Sequence, residues 1–390
     1  MLRRLRAMLP SRTVEREGVA LAKGFAFADS LASSRRIAYT DEMKIVVSLP
    51  DGRERRELFR DEKGRAGGPL TWSPDGRTLY HAYDQIYAID AVTGVARAVT
   101  EFAEEEQFGV LWFSSCSPDG RMLLFLQSID VGPSEWAHRL CALDLAEGRV
   151  RVLLDPGRER KLWCADVSWA RHLVAAVLIA PEGRRQELWA LDPRTGAATR
   201  ATPMPAPAGY IALSPRGKAL AFADGGGVGL VSMDSGKHRW LTDFGWMPAW
   251  SPDGRAIAFL NDQCELWVLR RGRPQPQRLA RFTGENPPLE EVHGSWAQPP
   301  VWSTDGRLLW FTLTQPRLRP AAEAARLQEQ FRESELKDIP EDQREDARRD
   351  LREHLRWDFQ HHVGAMDFVG SRVWTTHGYW DHVAWSPVED

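Results

Sequence analysis

Three histidines stand late in the chain, in short segments that lead into apolar strands. His293 opens the segment His293-Gly-Ser-Trp-Ala-Gln298, and His377 opens His377-Gly-Tyr-Trp-Asp-His382, so both read His-Gly-x-Trp. A third relative is Phe244-Gly-Trp-Met-Pro248, and a fainter one is Gln107-Phe-Gly-Val110. Indoles and imidazoles in this pattern offer two kinds of chemistry. Trp246, Trp296, Tyr379 and Trp380 supply flat apolar faces for a ligand or peptide, with His293, His377 and His382 as the adjacent polar groups. The same histidines with a carboxylate such as Asp381 also form a donor set suited to zinc or manganese. Against both stands a purely architectural reading. Gly-x-Trp then forms a corner wedged between structural units, and the histidines are ordinary core or surface residues. His361-His362 is a further histidine pair, read as facing solvent.

Other chemistries leave no mark. There is no Gly-x-Ser-x-Gly elbow and no phosphate loop. The four cysteines, Cys116, Cys141, Cys164 and Cys264, form no Cys-x-x-Cys pair, and each sits in an apolar stretch. They read as buried thiols rather than as a disulfide framework. The formal charge of −3 argues against the basic surface that nucleic acid requires.

What must position these residues is a repeat. Trp72-Ser-Pro-Asp-Gly-Arg77 recurs as Ser117-Pro-Asp-Gly-Arg121 and as Trp250-Ser-Pro-Asp-Gly-Arg255, with looser copies at Trp302-Ser-Thr-Asp-Gly-Arg307 and Ser214-Pro-Arg-Gly-Lys218. Ser168-Trp-Ala-Arg171 is a poor copy in the right place, and Ser30 to Arg36 reads as a first one. Proline presets the turn, aspartate suits its third position, and glycine takes the left-handed conformation that closes a hairpin. The spacing of roughly 37 to 52 residues fits four short strands per unit. Units begin near residues 25, 69, 108, 162, 208, 245 and 296. The expected fold is therefore all-β, a propeller of about seven four-stranded blades. His382-Val-Ala-Trp-Ser-Pro387 starts one more inner strand, which is expected to meet the N-terminal segment and close the ring.

The Trp-Ser-Pro-Asp-Gly-Arg unit resembles the WD40-like (PD40) repeat of the TolB family of propellers, over almost the whole chain. That resemblance implies the fold strongly and function weakly, because the repeat serves scaffolds, lyases and the propeller halves of peptidases alike. A looser likeness is to oligogalacturonate lyases, seven-bladed propellers of similar length that hold a metal with histidines from late blades. It rests on size and on the late position of the histidines. The acidic loops Glu104 to Glu106 and Glu290 with Glu291 are wrong for a polyanionic substrate.

The repeat is broken most visibly between the second and third strands of the last unit. Residues 316–360 are charged and alanine-rich; Ala324, Leu327 and Phe331 share one helical face, and Ala347, Leu351 and Leu355 repeat every four residues. This predicts a helical hairpin inserted into the last blade. The domain reading is an N-terminal extension over 1–24, a propeller over 25–390, and the hairpin within it. In an up-and-down blade the hairpin rises from the face that carries the loops between blades, where the aromatic and histidine segments lie. The expected function is a non-catalytic propeller that binds a protein partner or ligand at that face. The alternative is a metal-dependent lyase or hydrolase-like enzyme. No apolar run is long enough for a membrane span, and no secretory leader is evident, so a cytoplasmic location is expected, with the periplasm as the family-based alternative.

Overall fold

A computed structural model describes residues 14–389 apart from 17–18, 42–43, 61–67, 103–109, 133–134, 158–159, 180–184, 224–225, 284–297, 332–356 and 378–380. Seven small sheets are arranged in a ring, each built on four antiparallel strands that follow one another from the channel outward. Blade two shows the unit in its shortest form. Leu70–Trp72 is innermost, followed by Thr78–Ala82, Ile86–Asp90 and Ala96–Ala98. Blades three to six begin with the inner strands Val110–Cys116, Lys161–Ser168, Tyr210–Leu213 and Trp246–Trp250, and blade seven with Val301–Trp302. Each inner strand packs against the next around the whole ring.

The repeat motif makes the turn between the first and second strands, and its side chains build that turn. Ser73 Oγ donates to Asp75 Oδ1 at 2.6 Å, the Arg77 amide donates to the same oxygen, and the Thr78 amide donates back to Ser73 Oγ. Ser117 and Asp119 repeat the arrangement, as do Ser251 with Asp253 and Ser303 with Asp305. The hydroxyl bond holds the Asp75 and Asp119 carboxyls below the usual carboxylate range. Gly76 closes its turn at φ 69°.

The tryptophan of the motif ties one blade to another. Trp72 Nε1 donates to Ala384 O, Trp250 to Ala212 O, Trp302 to Ala249 O and Trp385 to Val301 O, at 2.9–3.1 Å. In each case the acceptor precedes the motif's tryptophan position in the previous blade. At blade four, Trp169 Nε1 instead reaches Ser115 Oγ at 2.9 Å. Between blades two and three, where Cys116 replaces the tryptophan, Thr71 Oγ1 donates to Ser114 O. Between blades four and five, where Leu213 stands in its place, the Leu213 amide donates to Asp166 Oδ2 at 2.6 Å. All seven junctions thus carry an innermost hydrogen bond, each worth about 0.5–1.5 kcal/mol net beside the apolar burial around it.

Ring closure is a strand exchange between distant parts of the chain. Asp381–Glu389 is the inner strand of blade one and pairs antiparallel with Arg35–Asp41, which is followed outward by Lys44–Ser48 and Arg56–Arg60. The first unit therefore does not begin at residue 25, and Ser30 to Arg36 is the lead into a second strand, not a first inner turn. Ala26–Phe27 instead lies parallel to Arg372–His377 as a fifth, outer strand of blade seven. Val19–Leu21 and Val14–Arg16 extend the outer edge of blade six. The motif copy with threonine in place of proline sits at this closure. Arg35, 7% exposed, donates to Thr304 Oγ1 and to Ser386 O, so the Thr304 hydroxyl has a task that proline lacks.

The cysteines are free thiols, as expected, but Cys116 and Cys164 are only half-buried, whereas Cys141 and Cys264 are fully enclosed. The insertion of blade seven begins later than residue 316. Its flanking strands run on to Leu318 and resume at Trp357, in register with each other, and the helix spans Ala321–Phe331. The second helical arm expected around Ala347, Leu351 and Leu355 lies outside the described residues.

Trp385→Phe keeps an aromatic ring in the core but removes the second ring of the indole and leaves the Val301 carbonyl at the closure without its donor. Urea unfolding should show a loss of about 1–3 kcal/mol. An unchanged midpoint would mean that the indole bond does not hold the ring.

Candidate functional site

Each inner strand runs from the loop between blades down to its serine–aspartate turn. The loops between blades and those between second and third strands therefore share one face, and the motif turns occupy the other. On the first face two hairpins stand high. The second strands of blades three and seven, Met122–Gly132 and Leu308–Leu318, are 11 residues long, against 5 in blades two, five and six. At about 3.3 Å per residue the extra length raises these two hairpins by roughly 20 Å. The mouth of the channel lies between them.

The inner strands are irregular at this same end. Bulges fall between Leu111 and Ser114, Leu162 and Cys164, Trp246 and Ala249, and Asp381 and Ala384. A bulge inserts a residue into one strand and re-aims its side chain. In blade four that residue is Trp163, which is 51% exposed although it belongs to an inner strand. Its Nε1 donates across the junction to Gly209 O at 3.3 Å, so the ring is fixed. The next residue of blade five is Tyr210, whose ring meets Trp246 edge to face at 5.8 Å between centroids.

Trp246 is held in turn by its own blade. Its Nε1 donates to Asn261 O at 2.9 Å, and its ring packs partly against the cores on both sides. Gly245 before it takes φ 109°, and a Cβ there would lie 2.6 Å from the Phe259 ring, so the Phe-Gly-Trp sequence is required by close packing. Met247 in the bulge also adopts positive φ, 51°. Trp163, Tyr210 and Trp246 thus form an arc over three consecutive blades.

Below the arc a set of residues stands one position before each tryptophan site on the inner strands. It comprises Thr71, Ser115, Asp166, Ala212, Ala249, Val301 and Ala384, and Asp166 is its only charged member. The Asp166 carboxylate is half-buried and accepts from two amides, Val167 at 2.7 Å and Leu213 at 2.6 Å. Desolvation outweighs both bonds and raises its pKa to about 6.

The residues singled out in the sequence fall into three groups. Trp246 belongs to the arc. His293, Trp296, Tyr379 and Trp380 lie outside the described residues. His377 ends the outer strand of blade seven opposite His362, whereas Asp381 and His382 begin the inner strand of blade one, Asp381 opposite Thr40; the side chains of these three are outside the described set. The backbone thus places His377 at the end of the fourth strand of blade seven and His382 near the start of the innermost strand of blade one. His362 does not face solvent: it is 0% exposed and meets the Phe282 ring edge-on at 5.1 Å. His361 Nδ1 lies 3.1 Å from Thr314 Oγ1. Sequence reading missed Trp163, Tyr210 and Asp166. A signal was present, because Trp163 stands four residues before Val167 as Trp246 stands four before Trp250. Among the described residues, no group of three histidine, cysteine or acidic side chains is placed to hold a metal.

The opposite face has grooves of its own. One of about 340 Å³ lies at the junction of blades four and five, beside Arg171, His172 and Asp234. Another of about 420 Å³ lies at the junction of blades one and two, beside Trp72, Arg56 and Val92.

Asp166 makes the stability of the ring depend on pH. Its folded pKa, about 6, lies above the ordinary 3.8, so the folded state holds the proton more tightly. Its contribution is fully present below about pH 4 and is lost as pH rises through about 6. Asp166→Asn keeps an acceptor for Leu213 but cannot ionise. The fall in urea midpoint between about pH 4 and 7 should therefore be smaller in the variant; an identical profile would exclude Asp166 as its source.

No family model matches this sequence, and no curated protein matches it. Among solved structures, an oligogalacturonate lyase in complex with manganese superimposes with a TM-score of 0.55 at 14% identity, covering 74% of this chain and 92% of that one. The oligogalacturonate lyase of Vibrio parahaemolyticus superimposes with a TM-score of 0.53 at 12% identity, covering 76% and 90%. At such identities the likeness is one of fold, and it is the fold of a seven-bladed propeller.

Proposed function

We propose that this chain is a non-catalytic binding propeller of the TolB-like kind, which engages a protein partner or ligand at the face bearing the loops between blades and the helical insertion. One observation carries the reading. Four inner strands are bulged at the same end of the channel, and in blade four the bulge turns Trp163 out to solvent and fixes it there. A tryptophan more than half exposed on an inner strand adds little to the ring, whereas a rigid aromatic ring at a mouth serves as an anchor for another molecule. The raised hairpins of blades three and seven flank that mouth.

The second reading, a metal-dependent lyase or hydrolase-like enzyme, draws on the manganese-bound lyase that shares the fold. Zinc or manganese would fall to His293, His377, Asp381 and His382. His377 ends a strand of blade seven, and Asp381 and His382 begin the inner strand of blade one, within five residues of it and at the same face.

Two experiments test the choice. Leu318 and Trp357 are register partners, so residues 319–356 can be replaced by Asn-Gly to close a hairpin. The shortened protein should melt within about 5 °C of the full chain and lose binding to a partner that co-purifies with it. A drop of tens of degrees, or retained binding, would contradict a docking role for the insertion. Elemental analysis of the full chain should find zinc and manganese well below one equivalent; a stoichiometric metal would favour the enzyme.

A further inference from the structure

The geometry points to a specific occupant of this mouth, a guanidinium or ammonium side chain of a protein partner, laid on Trp163 and directed toward the Asp166 carboxylate. The inference rests on the binding face proposed above and names the chemistry it selects.

Donor count is the first argument. The indole N–H of Trp163 is committed to Gly209 O, and that of Trp246 to Asn261 O. Neither indole has a donor left for a carboxylate, phosphate or sugar oxygen. What Trp163 offers is its π face, which carries negative quadrupole charge and attracts cations or apolar groups. Depth is the second argument. Asp166 lies three residues down the same strand and faces the same junction, since Trp163 bonds to Gly209 and Asp166 to Leu213 of the one neighbouring strand. By strand rise the two are roughly 7–10 Å apart along the wall, a span suited to a long basic side chain.

Charge is the third argument. Asp166 is the one charged residue among those that stand one position before the tryptophan sites, and its hydrogen bonds among the described residues come from two backbone amides rather than from a cation. Cys164 lies two residues before it on the same strand and Tyr210 on the packed strand of blade five; burial pushes the Cys164 thiol upward and raises the Tyr210 phenol, so both stay neutral near pH 7. A cation brought to this carboxylate supplies a countercharge that it receives from none of the described residues. Binding should therefore strengthen as Asp166 ionises, with rising pH through about 6.

The test uses the full chain and a fluorescein-labelled triarginine peptide, with the tricitrulline peptide as its neutral isostere, followed by fluorescence polarisation at low salt. The arginine peptide should bind and the citrulline peptide should not. Trp163→Ala should weaken binding about tenfold and Trp163→Phe should restore most of it. Asp166→Asn should weaken binding and remove its rise between about pH 5 and 7. Equal binding of the two peptides overturns the inference, as does undiminished affinity in Trp163→Ala with a native melting curve. If that substitution changes nothing while removal of residues 319–356 abolishes partner binding, the face is right and the cation is wrong.

Discussion

A ring of sheets has to solve one mechanical problem, which is to fix each wedge to its neighbours near the axis, where the wedges are narrowest. Here the solution is an indole N–H reaching to a carbonyl of the adjoining inner strand. The acceptor always sits one residue before the position of that strand's own indole, so a single local sequence both gives and receives the tie. Trp72, Trp250, Trp302 and Trp385 obey this geometry to within 0.2 Å in bond length. The serine–aspartate turn that follows is the other half of the device, because it fixes where the strand ends and hence where the indole points.

This coupling explains why the fold was legible in the sequence. Trp-Ser-Pro-Asp-Gly is at once a turn signal and a junction signal, and its period gives the number of blades. The closure was less legible. A terminal Val-Ala-Trp-Ser-Pro announces an inner strand, but nothing local says that its partner is Arg35–Asp41, or that Ala26–Phe27 runs parallel to the outer strand of blade seven. Those pairings are decided by which sheet edges remain open once the other blades exist. The threonine of Ser303-Thr-Asp-Gly looked like decay of the motif; it is a contact to Arg35 across the closure.

The mouth was legible only in part, for a related reason. The His-Gly-x-Trp segments drew attention because they repeat, and repetition is what sequence reading detects. Trp163 shares only the spacing of Trp246 to its motif position, without the glycine phrase around it. Its exposure follows from a bulge, which depends on a slip of register between two strands and has no residue signature. Asp166 was invisible because an aspartate in a strand ordinarily reads as a surface residue, and its meaning arises only from Leu213 standing where a tryptophan stands elsewhere. The junction of blades four and five, like that of blades three and four, lacks the motif tryptophan on both sides, and there an ionisable group has taken over a structural bond.

The strand exchange in blade one also sets a timetable for the making of the protein. Ala38 pairs with Ala384, so on a ribosome adding 5–20 residues per second the second strand of this blade waits roughly 20–70 s for its inner neighbour. Throughout that time blades two to six can assemble in order and cover Ala38, yet the edge of Arg35–Asp41 stays open and the face that blade seven will cover stays apolar, with Ile37 and Tyr39 bare. A nascent chain in this state is a half-built arch without its keystone. A ribosome that stalls before Asp381 releases a product with every blade but one complete and no means of closing, and its uncovered strand marks it for chaperones and proteases.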